Sequence, residues 1–176
     1  MTENWLDSLE PDTRSKAQHL IARMRAFGAS DAEEWVRSEI QENIPQFVRF
    51  LVLRRLWRSI DRWRDDSADY VPQFMAEAEC NPAGYFADAG LAMKRMVEAG
   101  AAAEDIGKVA RRVAYEAMFD ALNTIDEGYD WEAGDDLPGW VLIETDPAGE
   151  PTRRYVQGLH EDLLSMDPSG REGRSG

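Results

Sequence analysis

The sequence predicts a mainly α-helical single domain, and three observations lead there. The chain has 176 residues, of which 43% are hydrophobic and 10% aromatic. That is enough apolar material for one core without help from disulfides or a metal. Apolar residues recur at three- and four-residue spacing through most of residues 12–125, the period of helices that bury one face. Strand-like runs occur only near the C-terminus. The expected architecture is a bundle of five or six helices, closed by a small β-hairpin at about 140–156 and a short final helix. Residues 1–166 form the domain and 167–176 a disordered tail.

Residues 1–10 read as an arm that docks through Trp5, Leu6 and Leu9. A first helix is expected over Asp12–Phe27, with Ala17, Leu20, Ile21, Met24 and Phe27 on one face and Gly28 as its stop. Ser30 with Glu33 has the pattern of a capping box opening a second helix, and Pro45 ends or kinks that helix because it lacks a backbone donor. The stretch Phe47–Trp63 is apolar on more than one face and is the predicted central helix, with Leu51, Leu56, Trp57 and Ile60 deeply buried. Residues 65–71 read as a polar connection. Pro72 then opens a short helix to Cys80, and Asn81-Pro82 signals the start of another reaching Glu98. Gly100 separates it from a long helix over Ala103–Ile125, whose core stripe leaves Lys108, Arg111 and Arg112 as a basic patch on the far side. The run Trp140–Thr145, a turn at Asp146–Gly149, and Thr152–Val156 predict the hairpin, and Leu159–Met166 the last helix.

Charge is distributed unevenly. Residues 1–64 hold 11 Lys and Arg against 10 Asp and Glu, whereas residues 65–176 hold 9 against 24, so the net charge of −14 resides in the second half. Two readings fit: an acidic face offered to a basic partner, or complementarity between the halves once folded. Either disfavours nucleic acid and anionic membranes, which need clustered exposed cations. The longest apolar run is broken by Arg49, Arg54 and Arg55 and is too short to span a bilayer. The acidic start lacks the features of a secretory signal, and a lone cysteine, Cys80, allows no internal disulfide. The expected location is therefore the cytoplasm. In size and acidity the chain is similar to small acidic bacterial proteins, a likeness that brings no residue-level motif.

Glycine-rich phosphate loops, dinucleotide fingerprints and nucleophile elbows do not occur. Arg54, Arg58 and Arg62 form a stripe at helical spacing, either a wall for an anionic ligand or a solvated face. His160, beside Glu161 and Asp162, is the nearest approach to a general acid or base, with no evident nucleophile to serve; a locally bonded histidine is the alternative. Six carboxylates fall in the eleven residues from Asp126 to Asp136. The loop has oxygen ligands and glycines but not the spacing of a calcium-binding loop, so neither metal nor cofactor is expected.

Tyr129, Trp131 and Trp140 add anchoring area beside those acids, unless the tryptophans fold back over the end of the long helix. The leading expectation is a non-enzymatic interaction module, regulatory or toxin-neutralising, that binds a basic protein through Asp126, Asp130, Trp131, Glu132, Asp135 and Asp136. The alternative is a small-molecule-binding protein or enzyme with a pocket near His160 and the Arg54/Arg58/Arg62 stripe.

Overall fold

The structure, a computed structural model, describes residues 5–132 and 138–168. Its helices in chain order are α1 (Pro11–Ala26), α2 (Ala32–Glu42), α3 (Gln46–Asp65), α4 (Ser67–Cys80), α5 (Ala87–Glu98) and α6 (Ala103–Glu127). The strands β1 (Ile143–Thr145) and β2 (Pro151–Tyr155) follow, then α7 (Leu159–Leu163); short 3-10 turns lie at Trp5–Ser8 and Leu164–Met166. The fold is mainly α with a two-stranded antiparallel hairpin near its C-terminus, in which Ile143 pairs with Tyr155 and Thr145 with Pro151. No described helix is long and apolar enough to cross a membrane.

α3 is the axis, and its several apolar faces serve two cores. Leu53, Trp57 and Ile60 pack with Tyr115 and Leu122 of α6, Val156 beyond the hairpin, and Leu159 and Leu163 of α7. Phe50, nearer the N-terminus of α3, joins Ala17, Ile21 and Met24 of α1 and Ala32 and Val36 of α2. The Trp57 indole N–H donates to the Leu163 carbonyl at 2.7 Å, satisfying the one polar atom that this ring takes into the core. Leu51 and Leu56, expected at depth, are only partly buried, and Leu53 occupies the innermost position. A helix flanked on both sides buries its middle row most completely.

Several boundaries differ from the expectation. The capping box does not form: the Ser30 hydroxyl bonds Asp31, while Glu33 pairs with Arg25 at 2.5 Å. α2 ends at Glu42 on a left-handed Asn43 (φ 58°), and Pro45 stands just before the first residue of α3, where its missing donor costs nothing. Residues 67–71 are helical, not a connection; one residue, Asp66, joins α3 to α4, and Pro72 lies inside the helix. Asn81 closes α4, and α5 starts only at Ala87. Arg111 turns inward over the Trp57 ring, bonded to Asp61 at 2.7 Å and Asp167 at 2.9 Å. Asp167, expected to open the loose tail, is therefore a buried anchor; residues 169–176 lie outside the described part.

Candidate functional site

The acidic stretch begins inside α6, and its first member turns inward. The Asp126 side chain is buried, and its Oδ2 accepts from the His160 backbone N–H at 3.1 Å and from ring Nδ1 at 2.7 Å. Asp126 thus caps the start of α7 from a neighbouring helix and orients the histidine, leaving Nε2 as the acceptor of the neutral ring. The ring also meets Phe119 edge to face, with centroids 5.7 Å apart. No surface for a partner is formed by this carboxylate, although Asp126 Oδ1 is buried and accepts no bond among the described residues.

Beyond Asp126 the chain turns outward. Gly128, at φ 74°, ends α6 in the left-handed region that glycine enters most readily, and its carbonyl accepts from the Trp140 backbone N–H at 2.7 Å. The Trp140 indole donates to the Thr124 carbonyl at 3.1 Å, so this tryptophan does fold back over the helix end. Trp131 does not: it is 74% exposed and Tyr129 60%. Between and after them Asp130 and Glu132 are exposed, the Asp130 carboxylate accepting from the Glu132 backbone N–H at 2.9 Å. Val141, just before β1, and Tyr155 of β2 are further exposed apolar side chains. Asp135 and Asp136 lie outside the described residues. Among those described, no three His, Cys, Asp or Glu side chains are grouped so as to hold a metal ion.

The groups of the alternative site do not converge. Arg54 donates to the Phe27 carbonyl at 2.9 Å and lies over the Phe27 ring, at the end of α1. Arg62 pairs with Asp66 at 3.6 Å, Arg58 is exposed, and His160 is held at the end of α6. A shallow cavity between α2 and α7 is lined by Trp35, Ser38, Gln46, Asp162 and Ser165 with Asp31 and Glu34, and holds none of these groups. Burial pushes the Asp162 carboxyl above its usual value, although Arg49 bonds it at 2.5 Å. Arg49 in turn donates to the Gly158 carbonyl and to Gln46, so the pair locks α7 onto α3 and presents no free cation.

The charge asymmetry is not explained by pairing between the halves. Of the three long-range ion pairs that join them among the described residues, Arg49–Asp162 sets a cation of the first half against an acid of the second. Asp61–Arg111 and Glu39–Arg154 run the other way. Long-range pairing among the described residues therefore neutralises none of the net acid excess of the second half. Sequence reasoning missed one further feature, an open apolar groove of about 840 Å³ between α4 and α5. Its pointer was the Tyr85-Phe86 pair set between a Pro82-Ala83-Gly84 turn and a run of small residues. No protein-family model, curated protein or solved structure matches the chain.

Proposed function

We propose that this protein is a non-enzymatic interaction module, regulatory or toxin-neutralising in role, that binds a basic protein through the exposed end of α6 and the adjoining hairpin. The observation that carries this reading is the pairing of two outward aromatic rings, Tyr129 and Trp131, with the exposed carboxylates of Asp130 and Glu132. Aromatic rings in an acidic rim supply anchoring area, and the carboxylates supply attraction and steering for a cationic partner. Asp135 and Asp136 extend the acid run in sequence, whereas Asp126 serves the fold. The same acidity disfavours nucleic acid and anionic lipid, and the single exposed cysteine fits the cytoplasm. The enzyme reading has less support, because His160, Arg54 and Arg62 are engaged at separate places and Arg58 is exposed.

Affinity capture from the native host, followed by stopped-flow binding of the captured protein, tests the proposal. The variant Asp130→Asn/Trp131→Ala/Glu132→Gln is expected to keep the wild-type melting temperature, slow capture, and flatten its dependence on salt. Capture of the same protein at the wild-type rate, with unchanged salt dependence, would overturn it.

A further inference from the structure

The α4–α5 hairpin is closed on one side by small residues. At Gly90 a Cβ would overlap the Phe74 carbonyl and come within 2.6 Å of the Ala78 Cβ, so the helices approach through Gly90, Ala78 and Ala87. Bulky side chains cannot enter so narrow a seam and stand beside it. Trp63, Phe74, Tyr85, Phe86 and Met93 thereby line the groove, with Glu77 at its wall. Tyr85 is 92% and Phe86 75% exposed, a degree of apolar exposure that monomeric surfaces seldom carry at adjacent residues without a use for it. α5 packs principally on α4, and no residue of α5 belongs to either core. Its outer side is a bundle position left open.

We infer that this groove is a docking site for a basic amphipathic helix of a protein partner. Two antiparallel helices leave a trough into which the ridge of a third fits, and the groove is lined along about two turns of each, from Phe74 to Cys80 in α4 and from Ala87 to Met93 in α5. Charge selects the occupant. Residues 67–98 carry five acids against two bases. Lys94 is already taken by Glu79 and Glu98, and the Glu77 carboxylate is met by the Gln73 amide at 2.7 Å and by no described cation. A helix with apolar residues at three- and four-residue spacing and Lys or Arg on its flanks answers both the rings and the acids. A second copy would bring the same acids, on a chain of net charge −14. A fatty carboxylate would meet Glu77. The inference does not depend on the acidic loop, which lies at the other end of α6.

The test uses a fluorescent peptide of about 18 residues, long enough to form several helical turns, with Leu and Lys in helical register. Its controls are the same residues scrambled and the same pattern with Glu for Lys. The full chain is expected to bind the patterned basic peptide at least about tenfold more tightly than either control. The variant Tyr85→Ser/Phe86→Ser and wild-type protein whose Cys80, exposed at the groove, carries a bulky maleimide should each weaken binding by about tenfold or more. Asp130→Asn/Glu132→Gln should leave it unchanged, so that failure of the groove and failure of the acidic loop are told apart. Circular dichroism verifies the fold of each, and the modified wild-type chain keeps the test decisive if the double variant misfolds. Equal binding of the scrambled peptide, indifference to Cys80 modification, dimerisation abolished by Tyr85→Ser/Phe86→Ser, or binding of dodecanoate in place of the peptide would each overturn the inference.

Discussion

The α3–α6–α7 body and the α4–α5 hairpin are built from the same helical periodicity and bury different things. In the body Leu53, Ile60, Leu159 and Leu163 are fully enclosed around Trp57. In the hairpin the enclosed residues are Ser67, Val71, Ala78, Ala87 and Gly90, none larger than valine. The body is also tied across long stretches of sequence by Arg49–Asp162, Arg111–Asp61 and Arg111–Asp167, whereas the ion pairs of the α4–α5 hairpin are surface contacts of Lys94, which contribute little. A seam of small residues brings two helices close at little cost in packing, and it leaves their large side chains outside. Where a fold retains such a face, binding is a better account of it than stability.

The largest effect that separates the two regions is expected from Leu53→Ala. Leu53 is fully buried in the cluster that α3 forms with α6, α7 and Val156, so truncation leaves a cavity that the surroundings fill only in part. Loss of about 3–5 kcal/mol is expected in a urea melt, with an unchanged slope. A loss under about 1 kcal/mol would mean that the body can collapse, and is not the rigid part of the comparison.

Next comes Arg154→Met. This guanidinium holds the buried carboxylates of Glu39 and Glu144, at 3.2 Å for Glu39, and links the hairpin to α2. Removing it leaves both acids without a cation, Glu39 keeping the Phe47 backbone N–H and Glu144 the Thr152 hydroxyl. The expected cost is about 2–4 kcal/mol, somewhat below that of a fully buried pair because the Arg154 side chain retains 21% exposure. Burial alone works against the charged form of Glu144, and bonds from Arg154 and Thr152 more than offset it, so its carboxyl titrates below the usual glutamate value. Such a group stabilises the fold above its unfolded-state pKa, and the contribution is lost as the pH falls through the folded-state pKa. Without the arginine, the Thr152 hydroxyl remains, but the largest influence holding the carboxyl down is lost and burial is less well opposed. The gap between variant and wild type should therefore be widest at neutral pH and narrow on acidification, as urea melts across that range would show.

The contrast also explains what was legible in the sequence. α6 was readable almost to its ends because its apolar stripe is local information: the helix runs to Glu127 where Ile125 was expected. The start of α4 was not. Asp65, Asp66, Ser67 and Asp69 read as a linker, and Ser67 is buried only because Gly107, forty residues on in α6, leaves room for it; a Cβ at Gly107 would lie 2.6 Å from the Ser67 Cβ. Asn81-Pro82 has the form of a helix start, yet Asn81 was needed to close α4. Asp126 and Asp130 look alike in sequence, and only the arrival of His160 beside α6 turns one inward. The groove was unreadable for the same reason: which aromatics stay outside depends on which small residues meet.

Gly90→Ala breaks the hairpin alone. The added methyl meets the Phe74 carbonyl and the Ala78 side chain, neither of which is the free end of a flexible group. Overpacking of this kind costs about 1–3 kcal/mol, and here it should be felt locally. Amide exchange in α4 and α5 should quicken while that of α3 near Leu53 stays slow, as expected of regions that open separately. Equal acceleration in α3 would join the two regions into one cooperative unit and remove the distinction drawn between them.

The smallest effect is expected from Tyr85→Ser/Phe86→Ser, where a pair of aromatics is removed for almost no loss. Such a change in a core would be ruinous, since each ring ordinarily contributes by leaving water. Here both rings remain in water in the folded chain as they do in the unfolded one, and the contact between them, edge to face at 5.0 Å, joins neighbours in sequence that meet in either state. Folding stability should shift by no more than about 0.5 kcal/mol in either direction. The hydroxyls should also reduce nonspecific association, measured as a lower tendency to aggregate at high concentration. A loss above about 1 kcal/mol would show that the rings support the 81–86 turn and that the groove is a by-product of folding. Near-neutral stability joined to loss of peptide binding would separate the two uses of aromatic residues in this chain, one for holding the body together and one for meeting a partner.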